Sequence, residues 1–208
     1  MHEVNSLKMS MPSEDIKLEM LNDHYKDSFA YLQSYIKIRD KLFILILITI
    51  TVMLYQIYTP VSNDVLESFI ANQMDIDKSS VDISFVSSVI WFALLALSLR
   101  YFQTIIHIER QYKYVHCLET SLNNFYPDEE FTREGRSYLD YYPLFSKWAW
   151  ILYTKVFPIL LIFIVLLKII DEINFVVVNQ ASQVFNILIS ISIITTTLLY
   201  IYCYHRKR

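Results

Sequence analysis

Glycine and cysteine are scarce in this chain of 208 residues, which contains one Gly, two Cys and five Pro. A single glycine excludes the clustered-glycine loops that bind nucleotide phosphates, and it also excludes collagenous and linker-rich chains. The two cysteines, Cys117 and Cys203, are too few for a disulfide framework or a cysteine-based zinc site. The sequence therefore excludes Walker-type and dinucleotide-binding enzymes as well as disulfide-stabilised domains.

Charged residues are also few, at 19% of the chain against 54% hydrophobic residues. This balance is typical of a membrane protein rather than of a water-soluble domain. The formal net charge of −3 argues against a general nucleic-acid-binding protein, although a local basic patch is compatible with it. Most of the apolar surplus is therefore expected to face lipid.

Four apolar runs lie along the chain, at 42–58, 83–102, 149–170 and 184–204. A helix needs ~20 residues to cross the hydrocarbon core of a bilayer, and each run is close to that length. The first run is short, but Lys41 and Tyr58 at its ends extend it by snorkelling and aromatic anchoring. We therefore expect an all-α polytopic membrane protein with four transmembrane helices.

Positive charges are distributed unevenly between the segments that connect these runs. Six Lys and Arg residues lie in 1–41, six in 100–147 and three in the C-terminal tail, whereas 59–82 and 171–183 carry Lys78 alone against seven acids. Loops rich in Lys and Arg remain on the cytoplasmic side of a membrane. Both termini and the central segment are therefore expected to be cytoplasmic.

This topology divides the chain into four regions. They are a cytoplasmic amphipathic helix at 1–41, the first two spans with an acidic external loop at 59–82 (42–102), a cytoplasmic helical region (103–147), and the third and fourth spans with a short external loop and a basic tail (148–208).

The cytoplasmic regions have helical patterns. Pro12 and Ser13 form a helix start signal, and apolar residues recur at three- and four-residue spacing after them. No breaker follows the second span before Asn123 and Asn124, so a helix from about 83 to 122 is expected to be roughly 60 Å long. Such a helix extends well beyond the bilayer. Pro158 lies inside the third span, where neighbours are expected to satisfy the carbonyl that proline leaves without a donor.

Asn186, Ser190 and Thr197 are candidate pore-lining residues. At 100° per residue they fall within about 40° of one another on one face of the fourth span, whereas Ser192 and Thr196 lie on the other side. Polar residues in lipid must face protein or water, so a shared face can line a path for ions. The alternative is that these side chains form hydrogen bonds between neighbouring helices of one subunit.

Four cations of the central segment are candidate ligand-binding residues, together with Tyr112. The cations are Arg110, Lys113, Arg133 and Arg136. Cations interleaved with aromatic rings are suited to pairing with phosphates and to stacking on bases, as a nucleotide or short single strand requires. The alternative is that they are solvated cations that the membrane topology already demands.

No catalytic arrangement is visible in the sequence. His107 and His116 lie nine residues apart on one helix, which does not match the four-residue spacing of a helical metal site. We therefore expect no enzyme activity, no metal and no cofactor.

Three stretches of the sequence resemble small four-span membrane proteins of bacterial defence islands, of the Hailong effector-channel and Kiwa membrane-subunit types. The stretches are Asp40-Lys41-Leu42-Phe43, Ile108-Glu109-Arg110-Gln111-Tyr112, and Arg133-Glu134-Gly135-Arg136-Ser137-Tyr138-Leu139 followed by Tyr142-Pro143. The similarity is one of size, topology and general character. It implies a homo-oligomer, expected to be a tetramer, in the bacterial inner membrane. In one family a cytoplasmic oligonucleotide opens a channel, and in the other the membrane protein senses infection together with a soluble partner.

Two functions are consistent with these patterns. The first is a homo-oligomeric inner-membrane pore or effector of bacterial defence, gated by its cytoplasmic helices, with a nucleotide or short oligonucleotide as the candidate ligand. The alternative is a non-conducting membrane sensor or scaffold that docks a soluble defence protein. Four helices are too few to enclose a substrate path in most transporters, whereas symmetric assembly creates a central path, and this favours the pore.

Overall fold

The computed structural model describes residues 13–58, 62–75, 77–78, 82–126, 144–174 and 180–206. Their elements are α1 (Glu14–Tyr58), α2 (Ser62–Met74), α3 (Ile83–Asn123), α4 (Leu144–Ile151), a π-helical turn (Leu152–Val156), α5 (Phe157–Asn174) and α6 (Gln180–Arg206). No strand occurs in these ranges, so the expected all-α class is confirmed for the part of the chain that the structure describes.

The two longest helices begin at side-chain caps. The backbone N–H of Ile16 donates to Ser13 Oγ at 3.5 Å, which confirms the predicted start of α1. At the start of α3, Asp82 Oδ1 accepts hydrogen bonds from the N–H groups of Ser84 at 2.9 Å and Phe85 at 3.4 Å. The α3 helix then runs for 41 residues to Asn123, where the sequence predicts its end.

Three of the described helices, α1, α3 and α6, are long and apolar enough to cross a membrane. They correspond to the first, second and fourth apolar runs. The third run is divided between α4, the π-helical turn and α5, and α5 has 18 residues with Lys168, Asp171 and Glu172 near its end. Three apolar helices of this length indicate association with a membrane.

The π-helical turn has a local cause in the sequence. The N–H of Phe157 donates to the carbonyl of Leu152, five residues back, which leaves the carbonyl of Tyr153 without its usual helical donor. Pro158 has no N–H, so the carbonyl of Thr154 also lacks one. Irregularities of this kind persist in helices when neighbouring groups supply the missing donors.

Two tyrosine hydroxyls supply those donors. Tyr101 of α3 donates to the Tyr153 carbonyl at 3.3 Å, and Tyr200 of α6 donates to the Thr154 carbonyl at 3.5 Å. The prediction that neighbours satisfy the carbonyl freed by Pro158 is therefore confirmed.

The chain divides into two compact units, and the larger contains the described residues from Ile36 to His107 and from 144 onward. Its core takes residues from α1, α3, α5 and α6, namely Ile46, Ile50, Met53, Trp91, Leu94, Leu161, Val165, Ile189 and Ile193 among others. Each of these helices also exposes large apolar side chains, for example Ile48, Phe92, Phe163 and Leu188. Apolar residues on both faces are typical of helices that pack in lipid.

The smaller unit contains residues 13–35 and 108–126. Leu32, Val115 and Leu122 are fully buried in the chain. Glu119 is only 2% exposed, and its Oε1 accepts a hydrogen bond from the Tyr25 hydroxyl at 3.3 Å. A buried carboxylate with a donor from the opposite helix shows that this unit is tightly packed around polar as well as apolar groups.

The predicted acidic external loop at 59–82 contains the short helix α2, which ends at Met74 before Asp75, whose φ is 52°. Lys78, the one cation of the loop, pairs with Asp64 at 3.2 Å and with Glu67 at 3.9 Å. Two acids of this segment therefore share one cation.

Candidate functional site

A buried polar cluster surrounds Glu172 in the larger unit. Glu172 is 8% exposed, and its Oε1 accepts hydrogen bonds from Trp91 Nε1 at 3.2 Å and from Asn186 Nδ2 at 2.7 Å. The Ser87 hydroxyl donates to the same oxygen at a longer 3.5 Å. Side chains from α3 and α6 thus donate to a single carboxyl oxygen of α5.

The backbone of Glu172 is held by α6 as well. The side-chain amide of Gln183 donates to the Glu172 carbonyl at 3.1 Å, near the end of α5 where carbonyl groups lack helical partners. Gln183 and Asn186 are three residues apart and therefore share a face of α6. The start of α6 is fixed to the end of α5 by two amide side chains, one on the backbone and one on the carboxyl group.

Two further charged residues lie on the same helix. Lys168 Nζ pairs with Asp171 Oδ2 at 2.9 Å, and the exposed fractions of the two side chains are 7% and 21%. Because Lys168 and Asp171 neutralise each other, an ionised Glu172 leaves one negative charge in excess among these three groups. A buried charge in excess is costly in the absence of a partner.

Two oxygens of the cluster have no hydrogen-bond partner among the described residues. They are Glu172 Oε2 and Asn186 Oδ1, which are both acceptors. Asn186 is 3% exposed, so bulk water does not reach its side chain. Buried polar atoms are nearly always satisfied in native proteins, so this pair of acceptors calls for a donor that the described side chains do not supply, such as a bound water, a ligand or a proton.

The three predicted pore-lining residues are all buried inside the single chain, with Asn186 at 3% exposure and both Ser190 and Thr197 at 0%. Ser190 Oγ donates to the Asn186 carbonyl and Thr197 Oγ1 to the Ile193 carbonyl, each at 2.7 Å. The structure therefore places them on one buried face of α6. Any path that they line runs between the helices of one subunit rather than along an axis between subunits.

The predicted ligand-binding residues are only partly described. Arg110 and Lys113 are exposed on α3, and Tyr112 between them is half-buried. Arg133 and Arg136 lie outside the described residues. The structure thus brings Arg110 and Lys113 to the surface of one helix, and their pairing with the other two cations stays a prediction.

The sequence did not predict the Glu172 cluster, because Asp171 and Glu172 fall in 171–183, which was expected to be an external loop. The structure places both in α5, together with Lys168, and buries Lys168 and Glu172. One signal in the sequence points to this result. Residues 168, 171 and 172 have the spacing of one helix face, which a loop does not require.

Among the described residues, no group of three His, Cys, Asp or Glu side chains is arranged to hold a metal ion. Comparison with protein-family models, curated proteins and solved structures finds no match for this chain.

Proposed function

We propose that the chain is a four-span protein of the bacterial inner membrane that forms a homo-oligomeric, ion-conducting pore or effector of bacterial defence. The observation that carries this proposal is the buried cluster around Glu172 in a unit whose helices are mainly apolar in the core and also expose large apolar side chains. Ionisable side chains within a membrane are costly, and where they occur they mark ion paths, proton relays or sensors.

The third span of this proposal consists of α4, the π-helical turn and α5, which follow one another without a break from 144 to 174. At 1.5 Å per residue these elements are long enough to cross the hydrocarbon core together. The tyrosine donors from α3 and α6 allow the irregular turn to exist within the span, since they satisfy its free carbonyls.

The ion path of this proposal begins at Glu172 and follows the buried face of α6 through Asn186, Ser190 and Thr197. This face extends ~16 Å along the helix, about half of the bilayer core. The hydroxyls of Ser190 and Thr197 are bonded to backbone carbonyls in the described arrangement. Conduction therefore requires the helices around this face to separate.

The gate of this proposal is the smaller unit, which shares the continuous helices α1 and α3 with the larger one. A nucleotide or short oligonucleotide is the candidate ligand, because the exposed cations Arg110 and Lys113 are suited to phosphate. We propose a tetramer because the sequence resembles four-span defence proteins.

A second function, a non-conducting sensor or scaffold for a soluble defence protein, is favoured by one observation. The hydroxyls of Ser190 and Thr197 donate to carbonyls of their own helix, as Ser and Thr do in helices that only pack together. The two functions differ in whether the purified protein moves ions.

Ion flux from liposomes tests the proposal. We expect the wild-type protein, reconstituted with candidate nucleotide ligands, to dissipate an imposed membrane potential. Replacement of Asn186 by Leu and of Ser190 and Thr197 by Val should abolish flux while the oligomer remains intact, because the path loses its polar lining. Ser192→Val with Thr196→Val is the matched control. Wild-type protein that never conducts would instead support the scaffold.

Cysteine labelling tests the topology. In a chain with Cys117→Ser and Cys203→Ser, Ser79→Cys should react with an impermeant maleimide in intact cells, whereas Lys113→Cys should react only after lysis. The uneven distribution of Lys and Arg is the reason for this expectation. Reaction of residue 113 in intact cells would contradict cytoplasmic placement of the central segment.

A further inference from the structure

The Glu172 and Asn186 side chains together have more hydrogen-bond acceptors than donors. The two groups together have three oxygens and one NH2 group, and one hydrogen bond joins Nδ2 to Oε1 at 2.7 Å. Oε2 and Oδ1 have no partner among the described residues. Turning the amide over exchanges its nitrogen with its oxygen and leaves the same count, so the orientation of the amide is not the cause.

One additional hydrogen atom between the two oxygens without a partner gives each of them a hydrogen bond. A carboxylic acid and a primary amide join through two parallel hydrogen bonds, in which the amide N–H donates to one carboxyl oxygen and the acid O–H donates to the amide oxygen. The first of these bonds is present, and the two oxygens without a partner are those that the second would join. We propose that Glu172 binds a proton on Oε2 and shares it with Asn186 Oδ1.

The charge balance of the cluster supports the same assignment. Lys168 and Asp171 form a pair on α5, and they are the titratable neighbours of Glu172 on its own helix. The groups that contact Glu172 from the other two helices are neutral, namely Ser87 and Trp91 of α3 and Gln183 and Asn186 of α6. A proton on Glu172 makes the cluster electrically neutral, which a low-dielectric interior favours.

A metal cation fits the site less well. Hard cations such as Ca²⁺ and Mg²⁺ take about six or more oxygen ligands, often including several carboxylates. Here the oxygens without a partner are one carboxyl and one amide oxygen, and no group of three metal-ligating side chains occurs in the described ranges. A proton needs only the two oxygens that the site offers.

This inference rests on the proposed function in one respect, since it names the proton as the ion that enters the path at Glu172. Asn186 accepts a hydrogen bond from this proton but is too weak a base to take it, so the proton leaves Glu172 when the helices around the buried face of α6 separate and water accepts it. Glu172 is thus the binding site of a proton-conducting or proton-sensing membrane unit.

Infrared spectroscopy of the full-length protein in lipid nanodiscs tests the inference. A protonated carboxyl group has a C=O stretching band that carboxylates lack and that shifts in D2O. We expect this band in the wild-type protein at neutral pH, and we expect its Glu172 component to be absent from Glu172→Gln. In Asn186→Leu the band should move to higher frequency, because the acid proton loses its acceptor.

Glu119→Gln is the matched control, since Glu119 is also buried but lies in the smaller unit and accepts a hydrogen bond from Tyr25. It should leave the Glu172 component unchanged. A wild-type spectrum without a component that depends on Glu172 would overturn the inference. So would a spectrum in which Na⁺ or K⁺, but not choline, alters the Glu172 carboxylate bands, because a metal cation would then occupy the site.

The infrared result is independent of conduction. If the Glu172 band is present and liposomes show no flux, the pore is wrong and the proton site stands. If liposomes conduct and the band is absent, the pore stands and the proton site is wrong.

Discussion

In the π-helical turn before α5, two backbone carbonyls without a helical donor accept hydrogen bonds from tyrosine hydroxyls, whereas near the C-terminal end of α5 two buried oxygens, those of Glu172 and Asn186, have no donor among the described residues. The two places are ~27 Å apart along the chain at 1.5 Å per helical residue. At the first, aromatic rings fill the surroundings, and the Phe43 ring lies 4.8 Å from Tyr153 and 5.0 Å from Phe157.

The two places differ in whether the chain supplies donors for their oxygens. The π-helical turn is a structural irregularity, and we propose a function for the Glu172 cluster. The π-helical turn leaves the carbonyls of Tyr153 and Thr154 without a helical donor, and the hydroxyls of Tyr101 and Tyr200 donate to them. The carboxyl of Glu172 receives donors on one oxygen only. The site without a donor is therefore the one to which we assign the bound proton.

The largest effect on stability is expected at the charged end. Lys168→Met leaves the half-buried Asp171 without its partner beside the buried Glu172, and we expect it to lower the free energy of unfolding by about 3 kcal/mol. Unfolding by SDS titration in mixed micelles measures this change. Asp171→Asn added to the same chain should restore most of the loss. Lys78→Met, which breaks an exposed ion pair, should change the unfolding midpoint little.

A smaller loss is expected for Trp91→Phe. The substitution removes the indole N–H that donates to Glu172 Oε1 and also reduces buried volume, so the expected loss is about 2 kcal/mol. The exposed Trp148 provides the control, because Trp148→Phe removes no described hydrogen bond. Equal unfolding curves for the two variants would show that the Trp91 contact does not stabilise the cluster.

The tyrosine donors at the other end are expected to contribute less. Tyr101→Phe and Tyr200→Phe should each cost about 1 kcal/mol, as for a neutral hydrogen bond. Pro158→Ala returns an N–H that can donate to the Thr154 carbonyl, so in that background Tyr200→Phe should become nearly silent.

Tyr101→Phe provides the control for this double-mutant cycle. The loss of stability caused by Tyr101→Phe should remain in the Pro158→Ala background, because the N–H of Phe157 still donates to Leu152 and not to Tyr153. If both tyrosine variants lose their effect equally, the π-helical turn and the proline act as one feature rather than as two.

Several elements of the fold were predictable because their signals are local. Ser13 before an acidic first turn predicts the start of α1, Asn123 marks the end of α3, and Pro158 predicts a free carbonyl. The hydropathy of α1, α3 and α6 predicts helices that can cross a membrane. Each of these predictions depends on residues within a few positions of one another.

The Glu172 cluster was not predictable in the same way. Its contacts with Trp91 and Asn186 join residues 81 and 14 positions apart, and no spacing rule relates them. Hydropathy assigns acids at the end of an apolar run to a loop, because an isolated charge is costly in lipid. The packing of three helices overrides that preference by supplying donors to one oxygen of the carboxyl group.

The most direct test of the account compares the two ends of α5 in one assay, proton flux into liposomes per reconstituted oligomer. Glu172→Gln keeps the volume and the acceptor oxygen of the side chain but cannot release a proton, whereas Tyr200→Phe removes only a donor to the backbone. The account predicts that Glu172→Gln loses proton flux with its stability intact, and that Tyr200→Phe loses stability with its flux intact. Wild-type proton flux through the Glu172→Gln protein would contradict it.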